Sequence, residues 1–118
     1  MIRLITCIKR KKDISPEKFR NHWNDPEFEI LLDKLVSLLE PLRLSRKLTL
    51  QVGANVKIMQ MRGSLQPYDA IIEWWFENAA RLGPRLATPE ARAALRETVK
   101  YQSQFVDFEQ SPSFFTEG

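Results

Sequence analysis

An α+β fold with the element order β-α-β-β-α-β is predicted by three observations. Two helix starts share one chemistry, Ser15-Pro16-Glu17 and Thr88-Pro89-Glu90. In each, a hydroxyl can cap the helix, a proline stands where no amide donor is needed, and an acid lies over the positive end of the helix dipole. Segments with the composition or alternation of strands flank both helices. The length of 118 residues is that of one domain, spanning 1–118.

The first third of the chain predicts a strand followed by helical structure. Residues 2–10 are largely β-branched and apolar, which is typical of a strand. From Pro16 onwards the apolar residues recur at helical spacing. Pro26 interrupts this spacing, so we expect it to kink or restart the helix, and Pro41 ends the helical region.

Residues 42–51 have the clearest strand periodicity in the sequence. Leucines occupy one side of the alternation, which Arg46 interrupts. The other side carries Arg43, Ser45, Lys47, Thr49 and Gln51. The pattern predicts a sheet with one dry face and one polar face.

The segment 68–76 is predicted to be another strand with two distinct faces. One face is wholly apolar and is expected to pack under the helices; it carries Ala70, Ile72, Trp74 and Phe76. The opposite face carries Asp69, Ile71, Glu73 and Trp75. Residues 53–67, which precede this strand, have no clear period. We expect them to extend a strand or to form a flexible flap, because long connections in small domains are often lids.

After the strand at 68–76, residues 78–82 are predicted to form a short helix that Gly83-Pro84 stops. The Thr88 cap then opens a longer helix that reaches about Gln102. Its core-facing positions are expected to be Ala91, Leu95 and Val99.

The chain ends in a linking segment and a last strand. The linking segment holds Phe105, Val106 and Phe108, and residues 113–116 are predicted to be the strand. The complete order corresponds to the ferredoxin-like arrangement, a four-stranded antiparallel sheet with both helices on one face.

A sheet covered on one side leaves its other face bare. Four strands about 4.8 Å apart expose roughly 300 Å² or more, near the largest apolar patch that a monomer usually presents. We therefore predict a twofold homodimer with the sheets face to face, enclosing an amphipathic cavity.

Composition excludes several classes of protein. The single cysteine, Cys7, cannot form an internal disulfide or a cysteine zinc site, which fits a reducing cytoplasm. The apolar run at 2–8 is too short to span a membrane. The basic run Lys9-Arg10-Lys11-Lys12 is interpreted as a solvated strand end, with a nucleic-acid contact as the weaker alternative. Nothing in the sequence predicts a cofactor, a metal, a membrane or a nucleic-acid partner.

The polar face of the predicted sheet holds the candidate site. Glu73 is the candidate acid/base group, because enclosure in a dimer cavity would raise the pKa of its carboxyl; the alternative is an ion pair with Lys47 or Arg43. Trp75 can position a planar ligand or pack in the dimer interface. Ile71 is expected to contact the ligand beside it.

Three further residues are candidates with a structural alternative. Asp69 contacts the ligand or caps a turn. His22, the only histidine, is a general base at the cavity mouth or a structural residue. Its neighbour Trp23 is a candidate ligand contact on the same helix.

Three stretches resemble EthD-type domains. Residues 15–23 resemble the opening helix of that family, 68–76 resemble its third strand, and Thr88-Pro89-Glu90 with Phe105-Val106-Asp107 resembles its last third. The resemblance implies the dimeric α/β-barrel group, a link to ether degradation, and relatives that act on aromatic substrates without a cofactor. Glu27 stands about where family members commonly have a histidine, which puts histidine-dependent activity in doubt.

Two functions follow from the residues and the resemblance together. The first is an EthD-like homodimer that binds a small apolar, aromatic or ether-type molecule in a sheet-lined cavity, with cofactor-independent acid/base or oxidative chemistry in a catabolic pathway. There, Lys47 or Arg43 stabilises negative charge that develops on the substrate. The second is a non-catalytic accessory or binding protein whose interface is purely structural. An open cavity lined by Glu73 and Trp75 favours the first.

Overall fold

Four strands form one antiparallel sheet in the order β2-β3-β1-β4, and the predicted ferredoxin-like α+β fold is confirmed. The computed structural model describes all residues, 1–118. Its elements are β1 (Ile2–Ile8), α1 (Pro16–Trp23), α2 (Pro26–Leu39), β2 (Arg43–Leu48), α3 (Gly53–Arg62), β3 (Ala70–Phe76), α4 (Ala79–Leu86), α5 (Pro89–Gln102) and β4 (Ser113–Glu117). Strands β1 and β2 are shorter than predicted.

The helix starts follow from local chemistry. The Ser15 hydroxyl accepts the Lys18 amide, and the Thr88 hydroxyl accepts the Ala91 amide, each at 3.1 Å. At the break between α1 and α2, the Asp25 carboxylate accepts the Glu27 amide at 2.9 Å, so the helix restarts there rather than kinking. Each such cap contributes about 1 kcal/mol to helix stability.

The core lies between the helices and one face of the sheet, called here the covered face. The four apolar β3 residues predicted to lie there are all buried: Ala70, Ile72, Trp74 and Phe76. Arg46, which interrupts the leucines of β2, also lies on this face. Its guanidinium donates to the Trp23 carbonyl at 2.7 Å and stacks over the Trp23 and Phe28 rings, so the charge has partners.

An aromatic cluster joins α1, α2 and the end of α5. Phe105 is at its centre, with its ring centroid 5.4 Å from that of Phe19, 5.9 Å from that of Phe28 and 5.6 Å from that of Tyr101. The linking segment is therefore part of the core. Its backbone is also fixed, because Val106 bridges to Arg10 beyond the end of β1.

Tyr101 gives this cluster a predicted pH dependence. Its hydroxyl donates to the His22 carbonyl at 2.6 Å, and burial, followed by the charges of Asp25 and Glu27, raises the pKa of the phenol to about 12 from 10.0. The folded state thus holds the phenolic proton more tightly than the unfolded state. This contribution to stability is fully present below pH 10 and is lost as the pH rises through 12.

We therefore expect the urea midpoint of the wild-type protein to fall more steeply between pH 9 and pH 11.5 than that of Tyr101→Phe. Urea unfolding followed by circular dichroism at several pH values measures this difference. Equal pH slopes for the two proteins would contradict it.

Two predictions about helices are wrong. Residues 53–62 form helix α3 rather than a strand extension or a flap; lysine, methionine and glutamine are good helix formers, and Gly63 ends the helix at φ 63°. Helix α4 continues through Gly83-Pro84 to Leu86. Pro84 is exposed, so water can satisfy the carbonyl that its missing amide leaves free, while buried Leu82 anchors the helix.

The buried side of α5 also differs from the prediction. Ala91 is buried as expected, whereas Leu95 is half-buried and Val99 is 49% exposed. The other buried residues of α5 are Ala94, Thr98 and Tyr101. Small side chains allow α5 to approach α2 closely, and the larger apolar ones are left beside a gap.

Candidate functional site: an apolar cleft beneath the helices

A strongly apolar cleft of about 330 Å³ lies between the covered face and the helices. Thirteen of its eighteen lining residues are hydrophobic. The sheet contributes Leu4, Ile72 and Trp74 to the lining, and α5 contributes Leu95 and Val99. The volume lies at the lower end of the range for small-molecule sites, about 300–1,000 Å³.

The mouth of the cleft is unusually apolar for a surface. Val99 of α5, Phe108 of the linking segment and Phe115 of β4 all line the cleft and are about half exposed. Exposed apolar side chains that surround a concavity are a mark of a binding site rather than of ordinary surface.

The polar groups of the cleft are neutral. The Thr6 and Ser113 hydroxyls are 2.8 Å apart and share a hydrogen bond, and Gln102 and Ser111 line the same cavity. The Thr98 hydroxyl donates to the Ala94 carbonyl at 2.8 Å. None of the eighteen lining residues carries an ionisable side chain. The cleft therefore suits an uncharged molecule with an apolar body and one or two hydrogen-bonding atoms.

The opposite side of the sheet, called here the open face, carries the charged candidates. Glu73 and Trp75 lie there, as the alternation predicts, together with Arg43 and Lys47 of β2. The Arg3 and Arg43 guanidinium carbons lie 5.1 Å and 5.0 Å from the centroid of the Trp75 ring. The indole is thus held between two cations.

Glu73 is ion-paired with Arg3, which corrects the expected pairing with Lys47 or Arg43. Arg3 Nη1 donates to Glu73 Oε2 at 2.9 Å, and the Glu73 side chain is 19% exposed. In the register of the sheet, Arg3 and Arg43 both lie opposite Trp75, whereas Lys47 lies opposite Ile71. Of the two arginines beside the Trp75 ring, the one on β1 reaches the carboxylate.

Cys7 faces Ile71 across β1 and β3, on the same open face. Burial, and to a smaller extent the charge of Glu73, raises the pKa of its thiol above the usual value of 9.0. The thiol is therefore protonated near neutral pH and is a weak nucleophile there.

The remaining predicted site residues lie in other places. Asp69 accepts the Arg10 amide at 2.8 Å and is 3.5 Å from the Arg10 Nε, so it fixes the chain after β1. His22 stacks on Phe105, with the ring centroids 5.2 Å apart, and Trp23 is 3% exposed in the core. The structure does not bring His22 and Glu73 together, and none of these residues lines the apolar cleft. Asp69 lines a separate, more polar cavity of about 200 Å³ together with Lys9 and Arg10.

No group of three histidine, cysteine, aspartate or glutamate side chains is placed to hold a metal ion. None of the helices has the length and apolar character needed to cross a bilayer.

The chain matches one known protein family and resembles several solved structures. Residues 11–109 match the family model of the EthD domain, and no curated protein matches the chain. Among solved structures, a dimeric protein of unknown function with a ferredoxin-like fold from Bacteroides fragilis is similar at a TM-score of 0.64 and 14% identity, over 99% of this chain and 95% of that one. An ethyl tert-butyl ether d (EthD) family protein from Bacillus halodurans is similar at a TM-score of 0.62 and 14% identity, over 100% of this chain and 98% of that one.

A third structure, a dimeric ferredoxin-like protein of unknown function from Thermobifida fusca, is similar at a TM-score of 0.60 and 14% identity, over 99% of this chain and 90% of that one. At such identities these likenesses establish the fold alone.

Proposed function

This chain belongs to the EthD domain family, and on that premise we propose that it binds a small, uncharged molecule with an apolar or aromatic body in the cleft beneath its helices. One observation carries the proposal: a concavity of about 330 Å³ is lined mainly by apolar side chains and by no ionisable one. Burying a charged ligand there would cost several kcal/mol without a compensating partner.

The lining also suggests which neutral molecules fit. The Trp74 side chain offers a flat apolar surface, and the Thr6 and Ser113 hydroxyls offer a donor and acceptors. An aromatic ether or a phenol combines both features. The ether-type ligand implied by the family resemblance is therefore retained, in a cleft on the covered face rather than on the open face.

Filling the mouth of the cleft should weaken ligand binding. We expect Val99→Trp to weaken the binding of 2-methoxynaphthalene or 2-naphthol at least tenfold in calorimetric titration, because the added ring occupies the entrance. The control is Ile30→Trp, since Ile30 is 66% exposed on α2 and does not line the cleft. Equal affinity in the wild type and Val99→Trp, or no binding by the wild type, would contradict the proposal.

We further propose that the chain is a homodimer in which two open faces meet. The open face carries a mixed surface of apolar side chains, an arginine–tryptophan–arginine stack and an internal ion pair. Such a surface can be buried without leaving Glu73 unpaired. Two similar structures are described as dimeric, which supports a dimer of this chain.

A catalytic function is the second candidate, with Glu73 as the acid/base group, Arg3 and Arg43 as the nearby cations and Trp75 as the ring that positions the substrate. The observation that favours it is a largely buried carboxylate beside an indole on the face proposed to become an interface. Two observations count against a catalytic function. Arg3 already neutralises the Glu73 carboxylate. Glu27, which stands about where family members commonly have a histidine, is exposed in the first turn of α2.

The variant Glu73→Gln separates the two candidates. In the binding-protein proposal, it lowers the free energy of unfolding by about 1 kcal/mol, because Arg3 loses an ion-pair partner, and leaves ligand affinity unchanged. In the catalytic proposal, the substrate lies between the open faces instead, and Glu73→Gln also abolishes its turnover, which mass spectrometry of the naphthyl probes measures. Turnover by the wild type that survives in Glu73→Gln would remove this residue from any mechanism.

A further inference from the structure

Helix α3 projects from the rest of the domain. None of its residues is buried, unlike those of every other helix. The radius of gyration is 15.4 Å, against roughly 13.5 Å for a compact domain of this length. Residues 53–65 are called here the arm. One side of the arm, with Asn55 and Met59, borders a cavity shared with Lys9 and Pro16, and the other side has no cover within the single chain.

The arm is apolar and basic. Ile58 and Met61 lie three residues apart on the helix, and Leu65 follows it; Met61 is 86% exposed and Leu65 is 92% exposed. Between Glu40 and Asp69 the chain has no acidic residue. The arm itself carries the basic residues Lys57 and Arg62, and β2 before it carries Arg43, Arg46 and Lys47.

A complementary surface lies at the opposite edge of the sheet. Residues 107–117 contain exposed Phe108, Phe114 and Phe115. They also contain the acids Asp107, Glu109 and Glu117 and no lysine or arginine. This aromatic, acidic strip includes the mouth of the apolar cleft, which Phe108 and Phe115 line.

The sheet places the two surfaces for contact between copies. The arm follows β2, one edge of the sheet, and the strip includes β4, the other edge. Both the end of β2 at Leu48 and the start of β4 at Ser113 lie at the same end of the sheet, beside Ala70 and Thr6. A twofold axis that runs along the strands brings β2 of one copy over β4 of the other, at this shared end.

Charge favours this axis over the alternative. A twofold axis across the strands would set β2 over β2 and oppose Arg43 and Lys47 with their own copies. The axis along the strands sets these cations over β4 instead, which presents the uncharged Phe114 and Thr116 on the open face and belongs to a strip without lysine or arginine. The pairing that carries the arm to the cleft is therefore the one that avoids repulsion between like charges.

We propose that the arm of one subunit packs on the aromatic strip of a second copy of this chain and covers the mouth of its cleft. The inference rests on the proposed ligand cleft and open-face dimer. Each ligand molecule is then held by two chains, with Ile58 and Met61 of one subunit opposite Phe108 of the other. The interaction is reciprocal, so the dimer contains two such closed clefts.

Disulfide trapping tests the contact without any ligand. In a Cys7→Ala background, Met61→Cys on an untagged chain is co-expressed with Phe108→Cys on a chain enlarged by a tag, and the mixture is oxidised. We expect the disulfide-linked heterodimer on a non-reducing gel, and at least tenfold less of it when Ile30→Cys replaces Phe108→Cys. Ile30 is exposed on α2, away from the strip.

The outcomes separate this inference from the proposed ligand function. Heterodimer formed by Met61→Cys with Phe108→Cys in a protein that binds no naphthyl probe supports the arm contact and overturns the ligand function alone. A dimeric protein that binds the probe but gives no more heterodimer than the Ile30→Cys control overturns the arm contact alone. A strictly monomeric protein overturns the arm contact.

Discussion

Replacing Phe105 with alanine is expected to lower the free energy of unfolding by about 3–5 kcal/mol, the range for removing a buried aromatic ring from a core. The side chain is fully buried at 0% exposure. Its ring contacts those of Phe19, His22, Phe28 and Tyr101, so one substitution removes the centre of four aromatic pairs. The cavity cannot collapse easily, because its walls come from three separate segments.

Phe108→Ala is the matched control, since this phenylalanine lies three residues further along the same segment and is half exposed at the cleft mouth. We expect it to cost less than about 1 kcal/mol. Urea unfolding monitored by circular dichroism compares the two variants. A Phe105→Ala protein no less stable than Phe108→Ala would show that the aromatic cluster does not stabilise the fold.

The parts of the fold that could be predicted from sequence are those that local chemistry determines. The hydroxyl caps at Ser15 and Thr88 fix where two helices begin, and each forms the expected hydrogen bond. The period of two in β3 fixes its covered and open faces independently of the other elements. These signals need only a few neighbouring residues, so the order β-α-β-β-α-β follows from them.

The errors arise where distant segments decide the outcome. Phe105 follows the end of α5 and shows no helical or strand period, yet α1 and α2 bury it completely. Val99 has helical spacing for the core, but the close approach of α5 to α2 through Ala94 and Thr98 turns it outwards. Such packing depends on which small residues face each other, and a single sequence does not show this.

The candidate sites divide in the same way. Alternation alone places Glu73 and Trp75 on the open face, but it does not choose between Arg3, Arg43 and Lys47 as the partner of Glu73. Sequence alone does not predict the cleft, because the cleft forms between layers rather than on one element. The sequence does contain one signal: Phe108 and Phe115 are large apolar residues to which the predicted core assigns no place.

The open face has no cover within one chain, and its centre is the most sensitive place to test the proposed dimer. Ile5 is the middle residue of β1 and lies opposite Glu73 on one side and Phe114 on the other. We expect Ile5→Lys to raise the dissociation constant of the dimer at least a hundredfold, which corresponds to about 3 kcal/mol. In the separate subunit, a lysine at this position can pair with Glu73, so folding is preserved. In the dimer, the interface would bury its ammonium group near the same lysine of the other subunit, which is unfavourable.

Sedimentation velocity at micromolar concentration measures this directly, with Ile30→Lys as the control because Ile30 is exposed on the far side of the helices. The wild type and the control should sediment as dimers of the 13.8 kDa chain, and Ile5→Lys as a folded monomer. A wild-type monomer, or an Ile5→Lys protein that dimerises as tightly as the wild type, would mean that the open face is not the interface. Since the arm reaches a second cleft only when these faces meet, that result would also leave the cleft open to solvent in every copy.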